Sequence, residues 1–298
     1  MRVIDDPTQL RSLALGWRRD GRVVALVPTM GALHAGHLSL VRRARLDSTH
    51  LIVSIFVNPL QFGPHDDWAR YPRNLEADLA LLEPEGVEVV FVPTAERMYA
   101  IGARTRVVVD EIGDVLEGAR RPGHFQGVAT VVQKLFNLSL PNFAYFGEKD
   151  AQQLAVLTRM ARDLDTGIGI VAVPTVRESD GLALSSRNAY LSAAERSAAP
   201  CLWRALSLGA RLYREHRTGD PAVLLGLMRE VVEREPLAHL DYLELVDPAT
   251  FSAPGPLAVG AVRIGSTRLI DNLRLDHPSG GFPPPPGARA VGRQARAG

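Results

Sequence analysis

The first 176 residues alternate short apolar runs with segments of helical spacing, and this alternation restricts the possible folds more than any other feature. Apolar runs rich in β-branched residues occur at 22–28, 51–57, 87–92, 143–146 and 168–173. Segments with helical character separate them, at 36–46, 74–83, 127–138 and 150–164. Strands that alternate with helices form a parallel sheet covered on both faces. The pattern therefore predicts an α/β fold with a doubly wound parallel sheet.

The second half of the chain has helical segments first and strands after them. Residues 193–216 and 221–235 have helical spacing, and the latter begins with Pro221 after Asp220, a candidate N-cap. Residues 239–246, 258–265 and 267–275 alternate like antiparallel strands. We predict a Rossmann-like domain over 1–176 and a smaller α+β domain over 177–276. Residues 277–298 are rich in Pro, Gly and Arg, so we expect a disordered tail.

Composition and charge exclude several classes of protein. The 34 basic and 33 acidic residues give a net charge of +1, which argues against a nucleic-acid-binding protein. No run approaches the roughly 20 apolar residues of a membrane span, and the N-terminus lacks the apolar block of a secretory signal. Cys201 is the sole cysteine of the sequence, so an intramolecular disulfide is impossible and we expect a cytoplasmic protein. Any anionic substrate must be held by local positive groups.

The strongest functional pattern is VPTMGALHAGH at 27–37, where a predicted strand turns into a predicted helix. Ligands of doubly wound sheets bind at the carboxyl ends of the strands. Free backbone N–H groups at a helix start favour an anion, and Gly36 lets the backbone approach it closely. His34 and His37 add two imidazole donors. The pattern favours a phosphate site; two surface histidines, or a metal site without an evident third ligand, are the alternatives.

A second pattern lies far along the chain, at Ser185-Ser186-Arg187-Asn188. Two hydroxyls and a guanidinium can donate several hydrogen bonds to a polyphosphate. Alone, such a tripeptide is more often a turn or a helix cap, and its weight here comes from the histidine pattern. We expect the two patterns to face one another across a single triphosphate.

Together the two patterns resemble the nucleotidyl-transferring superfamily that includes class I aminoacyl-tRNA synthetases, in which a His-x-Gly-His (HxGH) element and a later loop hold ATP from two sides. Longer blocks narrow the resemblance to the pantothenate synthetase (pantoate–β-alanine ligase) family. These blocks are 27–37, 54–62 (SIFVNPLQF), 124–135 (HFQGVATVVQKL), 146–154 (FGEKDAQQL) and 173–188 (VPTVRESDGLALSSRN). The resemblance runs in order from about residue 20 to 275, and the tail is not part of it.

The resemblance implies a ligase that condenses (R)-pantoate with β-alanine at the expense of ATP, giving pantothenate, AMP and pyrophosphate through a pantoyl-adenylate. It implies that residues 1–176 bind ATP and pantoate and that 177–276 form a lid. The residues that match ATP-binding positions are Met30, Gly31, Ala32, Leu33, His34, Ala35, Gly36, His37, Gly147, Glu148, Lys149, Asp150, Val176, Leu184, Ser185, Ser186 and Arg187.

The same resemblance assigns catalytic roles to His37, His34 and Lys149, and His37 matches the residue usually called the proton donor. Only Lys134 and Lys149 of the 34 basic residues are lysines, which suggests that Lys149 supplies a compact ammonium; pairing with a neighbouring acid is the alternative.

Substrate contacts follow from the resemblance as well. By the resemblance, Gln61 and Gln153 match pantoate-binding positions. An amide suits a hydroxy acid, because it can donate to a carboxylate and accept from a hydroxyl. Further groups on the side of pantoate and β-alanine are Asn58, His124 and Arg121. Asp78 is a candidate ligand of the Mg²⁺ that accompanies ATP, and an aspartate on a helix surface is an equal alternative. The resemblance implies a homodimer of a small-molecule enzyme, with neither nucleic acid nor membrane as partner.

Two other functions remain open at this point. An adenylyltransferase would stop at nucleotide transfer and would form no AMP. A nucleotide-sensing module would bind ATP without turnover, although both histidines, Lys149 and the Ser185–Arg187 stretch are all present.

Overall fold

The computed structural model describes residues 1–64, 66–216 and 220–277. Within them, six strands form one sheet in which every neighbouring pair is parallel. The strands are β1 (Arg2–Ile4), β2 (Val24–Thr29), β3 (His50–Ile55), β4 (Val89–Phe91), β5 (Phe143–Gly147) and β6 (Gly169–Val173), and their order is β1-β4-β3-β2-β5-β6. The prediction of a doubly wound α/β fold is confirmed.

Helices flank this sheet, and the largest contacts with it come from two of them. The helices are α1 (Pro7–Arg19), α2 (Ala35–Asp47), α3 (Leu75–Leu82), α4 (Ala95–Met98), α5 (Glu117–Arg120), α6 (His124–Ser139) and α7 (Ala151–Asp163). Helix α2 packs against β2 and β5, while α6 contacts β2 and α1. Val24, Ala25, Leu26 and Val27 of β2 are fully buried, as expected for a central strand covered on both faces.

The order of the strands reverses at β2. The chain continues from β2 to β3 on one side, whereas β5 pairs with β2 on the other. Such a switch point leaves a crevice at the carboxyl ends of the two neighbouring strands, where doubly wound proteins bind ligands. The histidine pattern follows β2 directly, so it lies at this switch point.

The N-terminal strand and helix were not predicted from the sequence. Strand β1 adds to the edge of the sheet beside β4, with Val3 opposite Val90. Helix α1 has a clear local start signal, because the Asp6 side chain accepts from the backbone N–H groups of Thr8 and Gln9 and Pro7 occupies the first turn. A three-residue strand is too short for its period to be detected.

The second half forms helices first and then an antiparallel sheet. Its elements are α8 (Ala193–Ala198), α9 (Cys201–Arg214), α10 (Pro221–Glu233), β7 (Ala238–Val246), β8 (Leu257–Ile264) and β9 (Thr267–Arg274), with the strands in the order β7-β8-β9. The prediction of a smaller α+β C-terminal domain is confirmed. The single helix predicted over 193–216 is wrong: it is interrupted at Pro200, which has no N–H to continue the helical hydrogen bonds.

The described chain divides into two compact units. One contains Met1–Gly147 and Val156–Val173, and the other contains Glu148–Ala155 and residues 174–277. The first has a core around Val27, Val53 and Tyr145, and the second has its own around Leu206, Met228 and Val262. The boundary at residue 176 stays a prediction, and the disordered tail predicted over 277–298 lies, apart from His277, outside the described residues. No helix within the described ranges is long and apolar enough to cross a lipid bilayer.

Candidate active site

The segment from Met30 to His37, called the histidine loop below, connects β2 to α2. His34 is the N-cap of α2, and its Nδ1 accepts from the backbone N–H of Gly36 at 3.1 Å. His37 Nδ1 accepts in turn from the backbone N–H of His34 at 3.3 Å. A neutral imidazole whose Nδ1 accepts carries its proton on Nε2. Because Nδ1 accepts in both rings, each histidine has Nε2–H as its donor. The centroids of the two rings lie 4.1 Å apart.

The histidine loop has a backbone conformation that only certain residues adopt. Gly31 and Ala32 both have positive φ, at 83° and 52°. A Cβ at residue 31 would lie 2.9 Å from Asp78 Oδ2, so glycine is required there on steric grounds as well. Thr29 fixes the entry to the loop, because its Oγ1 donates to Ser54 O at 2.7 Å and accepts from the Gly31 N–H.

Asp78, at the start of α3, holds the middle of the histidine loop. Its Oδ2 accepts from the Ala32 N–H at 3.0 Å, and its Oδ1 accepts from the Leu33 N–H at 2.7 Å. The carboxylate is buried, and burial raises the pKa of Asp78 above its ordinary value despite these two hydrogen bonds. The structure thus gives Asp78 a contact with the loop that the sequence did not indicate.

Magnesium ligation by Asp78 stays a prediction. No group of three or more His, Cys, Asp or Glu side chains within the described ranges has the arrangement of a metal site.

Two predicted residues with buried side-chain amides, Asn58 and Gln61, form a cluster with the half-buried Tyr99, and we call these three residues the amide pocket. Asn58 Nδ2 donates to Gln61 Oε1 at 3.1 Å, and Tyr99 Oη donates to Asn58 Oδ1 at 2.7 Å. Gln61 Nε2 contacts Met30 Sδ at 3.1 Å. Because Met30 begins the histidine loop, the amide pocket and that loop adjoin. Tyr99 was not predicted from the sequence, and no local pattern marks it.

His124 and Arg121 lie beside Gln61 at the start of α6. His124 Nδ1 donates to Gln61 O at 2.8 Å, so its Nε2 accepts from the Arg121 guanidinium at 3.2 Å. Arg121 also forms an ion pair with Asp66 at 2.8 Å. Burial, with the Arg121 charge as the second cause, lowers the pKa of His124 to about 4. This imidazole is therefore neutral at neutral pH and supports the backbone of Gln61.

In the second unit, β9 holds the turn at Glu148–Asp150. Asn272 Nδ2 donates to Glu148 O at 2.8 Å and to Lys149 O at 2.9 Å. Asn272 is 5% exposed, so its amide donates these two hydrogen bonds away from bulk water. The turn follows Gly147, the last residue of β5, and leads into α7, where Gln153 is half-buried. Lys149 therefore projects from a backbone fixed by a contact 123 residues distant.

Residues 176–184 form a narrow loop in which the chain pairs with itself. The Leu184 N–H donates to Val176 O at 3.0 Å, which joins two of the predicted ATP-binding residues. Arg177 lies between them in sequence and forms a buried ion pair with Asp271 at 2.6 Å. The Arg177 guanidinium also stacks 3.8 Å from the Trp203 ring.

The Ser185–Arg187 stretch begins a short 3-10 helix over Ser186–Tyr190. Ser185 is its N-cap, and its Oγ accepts from the Arg187 N–H at 3.2 Å. The capping role left open by the sequence is therefore present for Ser185. It does not compete with ligand binding, because a hydroxyl that accepts one hydrogen bond keeps its own proton to donate.

The structure thus joins the predicted residues into separate groups. In the first unit the histidine loop, Asp78, and the amide pocket with Arg121 and His124 are connected. In the second unit, Asn272 of β9 donates to the backbone of Lys149. Asp271 of β9 pairs with Arg177, which lies in the loop joined by the Leu184–Val176 hydrogen bond. The residues that sequence reasoning missed are Thr29, Tyr99, Arg177, Asp271 and Asn272; of these, Thr29 and Arg177 lie inside the motif blocks 27–37 and 173–188.

Comparisons with known proteins identify the family to which this chain is similar. The sequence profile of the pantoate-beta-alanine ligase family matches residues 2–274. A pantothenate synthetase of Carboxydothermus hydrogenoformans is 51% identical over 282 residues, covering 93% of this chain and 99% of that protein. One of Rubrobacter xylanophilus is 52% identical over 288 residues, covering 92% and 98%.

Solved structures give the same result. The crystal structure of pantothenate synthetase from Thermus thermophilus superposes with a TM-score of 0.86 at 47% identity, covering 92% of this chain and 99% of that one. Pantoate-beta-alanine ligase from Francisella tularensis, solved in complex with beta-gamma ATP and beta-alanine, superposes with a TM-score of 0.77 at 33% identity, covering 93% and 98%.

Proposed function

The chain belongs to the pantoate-beta-alanine ligase family, and we propose that it joins (R)-pantoate to β-alanine with consumption of ATP, giving pantothenate, AMP and pyrophosphate. Family membership makes it a ligase enzyme of pantothenate biosynthesis. Beyond family membership, we propose the reaction that this chain catalyses, its intermediate and the residues that act in it.

The contact between Met30 and Gln61 supports the proposal most directly. Met30 begins the histidine loop, which we assign to the phosphates of ATP, and Gln61 Nε2 is the donor that we assign to pantoate. Their separation is only 3.1 Å, so a carboxylate bound to Gln61 would lie next to a triphosphate bound to the loop. In-line attack on the α-phosphorus requires this proximity.

In the first step a pantoate carboxylate oxygen attacks the α-phosphorus of Mg·ATP. The bond from that phosphorus to the bridging oxygen breaks, pyrophosphate leaves, and pantoyl-adenylate forms. His34 and His37 stabilise the developing charge through their Nε2–H donors, and Lys149 neutralises phosphate charge. Mg²⁺ enters with ATP as part of the substrate.

In the second step the neutral amine of β-alanine attacks the carbonyl carbon of the adenylate. The bond to AMP breaks, the amide forms, and the nitrogen loses one proton. No nucleophile of the protein is needed, since ATP has already activated the carboxylate. Catalysis is therefore positioning and electrostatic stabilisation, with water kept from the adenylate.

The remaining predicted residues complete the proposed substrate contacts. Asp150 accepts from the ribose hydroxyls, the backbone of Val176 contacts adenine, and Ser186 with Arg187 donates to phosphate oxygens on the same ATP as the histidines. Gln153 is the second amide for pantoate. We further propose a cytoplasmic homodimer, whose mass in solution can be measured by light scattering.

A product assay tests the reaction. Purified protein is mixed with ATP, pantoate and β-alanine, and AMP, pyrophosphate and the amide are quantified; we expect equal amounts of all three. Omitting β-alanine should give one equivalent of pyrophosphate per enzyme and a bound adenylate detectable by mass spectrometry.

The same assay separates the rival functions. Pyrophosphate without AMP in the complete mixture would indicate an adenylyltransferase, and ATP binding without any product would indicate a nucleotide sensor. Strict dependence of pyrophosphate release on β-alanine would contradict the two-step order.

A further inference from the structure

The oxygen and the nitrogen of the Gln61 side-chain amide differ in the strength of their hydrogen-bond partners. Its Oε1 accepts from Asn58 Nδ2 at 3.1 Å, whereas its Nε2 has only Met30 Sδ as an acceptor among the described residues. A thioether sulfur is a weak acceptor, and an amide NH₂ carries two hydrogens. Gln61 is 8% exposed, so bulk water does not replace the missing partner. Such an under-satisfied buried donor indicates a place for a ligand acceptor.

The orientation of the Asn58 amide is fixed by two backbone groups. The Leu60 N–H can only donate, and it points to Asn58 Oδ1 at 3.2 Å. The Gly127 carbonyl can only accept, and it receives Asn58 Nδ2 at 3.1 Å. Exchanging the oxygen and nitrogen of Asn58 would oppose both groups at once, so the assignment follows from the hydrogen-bond network.

Tyr99 adds a third constraint on the same amide. Its hydroxyl lies 2.7 Å from Asn58 Oδ1, which can only accept, so the hydroxyl must donate. Burial raises the pKa of Tyr99 well above its ordinary value, so the proton needed for this hydrogen bond is kept at any working pH. Asn58 Oδ1 thus accepts two hydrogen bonds, so the Asn58 amide cannot rotate its Nδ2 away from Gln61.

The polarity of Gln61 follows from this chain of hydrogen bonds. With the Asn58 donor facing it, Gln61 must present Oε1 to Asn58, because two opposed NH₂ groups would repel. We propose that Asn58 and Tyr99 are positioning residues that hold the Gln61 amide with its N–H toward the acid substrate, so that this position selects an acceptor, a carboxylate oxygen, over a donor. This inference rests on the proposed function only in taking Gln61 as a contact of the acid.

The selection has a chemical purpose in the proposed first step. A neutral N–H donor orients a carboxylate without the strong charge neutralisation of a guanidinium, so the attacking oxygen stays nucleophilic. The primary amide of the same acid can offer Gln61 Nε2–H only its carbonyl oxygen, a weaker acceptor than a carboxylate oxygen, and Gln61 presents no acceptor for its NH₂. Discrimination of this kind arises when a site's buried polar group is left without a partner.

The test inverts the polarity of Gln61 by Asn58→Asp. This replaces the Nδ2 donor by an oxygen, so Gln61 would turn its Nε2 to that side and present Oε1 to the substrate. Affinities for pantoate and for its primary amide are measured at pH 8, the acid from its KM in pyrophosphate release and the amide from its inhibition constant. We expect the preference for the acid to fall by about 10- to 100-fold.

The ratio of the two affinities separates positioning from damage to the fold. The uncharged Asn58→Leu also removes the Nδ2 donor and separates this effect from repulsion between the new aspartate charge and the acid. A ratio that falls with aspartate but not with leucine, or that stays constant in both variants, would overturn the inference. Asn142→Asp is the matched control in the same unit, since the Oδ1 of Asn142 accepts from the Val24 N–H and aspartate keeps such an oxygen; the ratio should not change there.

A milder variant keeps the inference testable if Asn58→Asp does not fold. Tyr99→Phe removes one of the two donors to Asn58 Oδ1, and we expect KM for pantoate to rise about 3- to 10-fold, with KM for ATP unchanged. Tyr145→Phe is the control, because the hydroxyl of the buried Tyr145 likewise bonds to a side chain, Asp47. Equal pantoate KM values for Tyr99→Phe and the parent protein would remove Tyr99 from the proposal. A parent protein that makes no product from pantoate would instead refute the proposed function.

Discussion

Asp78 Oδ1 accepts a hydrogen bond from the backbone N–H of Leu33 at 2.7 Å, across 45 residues of sequence. Leu33 precedes the first histidine of the histidine loop, and Asp78 belongs to the helix of a different crossover. The same carboxylate also accepts from the Ala32 N–H. The shape of a loop that looks locally determined therefore depends on a distant side chain.

Replacing Asp78 by alanine should loosen this loop. Two buried N–H groups would lose their acceptor, so we expect the free energy of unfolding to fall by about 2–4 kcal/mol. KM for ATP should rise because the histidines lose their fixed positions. Asp78→Asn keeps one acceptor oxygen and should be intermediate. Urea denaturation and steady-state kinetics measure the two effects.

Asp163→Ala is the control for Asp78, since that carboxylate is exposed and pairs with Arg159 one helical turn away. Such pairs contribute little, so a change below about 0.5 kcal/mol is expected. Equal losses in the Asp78 and Asp163 variants would show that the carboxylate does not hold the histidine loop.

The roles of the two ring nitrogens of His37 can be separated by substitution. Asparagine places an oxygen near the position of Nδ1 and keeps the hydrogen bond to His34 N–H, but it has no donor in the position of Nε2. We expect His37→Asn to fold normally and to lose about 10²- to 10³-fold in kcat, as for removal of one transition-state donor. Full activity of this variant would remove Nε2 from the mechanism, and His239→Asn, at an exposed position of β7, provides the matched control.

Lys149 tests the need for a compact ammonium. Lys149→Arg keeps the charge but replaces a point charge by a planar fork. We expect Lys149→Arg and Lys149→Met both to lose more than about tenfold in turnover, with the methionine variant the more severe. Parental turnover in the arginine variant would mean that any positive charge suffices there.

His124 makes a specific contribution to the pH dependence of stability. Its pKa is about 4 in the folded protein and about 6.5 in an unfolded chain. The unfolded state therefore binds the proton first, so the stabilisation is present above pH 6.5 and is lost as the pH falls toward 4. Between pH 7.5 and pH 5.0 this loss amounts to about 2 kcal/mol.

The contribution of His124 is isolated by His124→Gln, which has no titrating group at that position. We expect the free energy of unfolding of the parent protein to fall by about 2 kcal/mol more than that of the variant over the same pH interval. The nearby charges of Arg121, Asp66 and Glu117 remain in both proteins. Identical pH profiles would mean that the pKa of His124 is the same in the folded and the unfolded state.

Asn272 should affect Lys149 from a distance in sequence. Asn272→Ala removes the two hydrogen bonds from Asn272 Nδ2 to the carbonyl groups of Glu148 and Lys149, so we expect a loss of about 1–3 kcal/mol in unfolding free energy and a raised KM for ATP. Asn137→Ala, at an exposed position on α6, is the control and should change neither quantity. Unchanged ATP kinetics in the Asn272 variant, despite reduced stability, would restrict Asn272 to a purely structural role.

The sequence alone predicted what depends on short-range pattern. Apolar runs of about six residues separated by helical segments were enough to predict the parallel sheet, because buried strands and amphipathic helices differ in period and length. Local chemistry also placed His34 and Gly36 at the start of α2, since helix caps and tight turns are decided by neighbouring residues. One helix break was not predicted, at Pro200, because the residues on both sides of it have the apolar spacing of a helix.

The tertiary structure decided which distant groups hold these local elements in place. Asp78 with Leu33, Asn272 with Lys149, and Tyr99 with Asn58 are 45, 123 and 41 residues apart. Periodicity carries no information about such pairs, because each polar side chain has a reason to be buried only once the fold brings an unpaired partner to it. The chain's own pattern therefore determined the sheet and the position of the histidine loop, while packing determined which distant side chains hold that loop, the turn at Lys149 and the amide pocket.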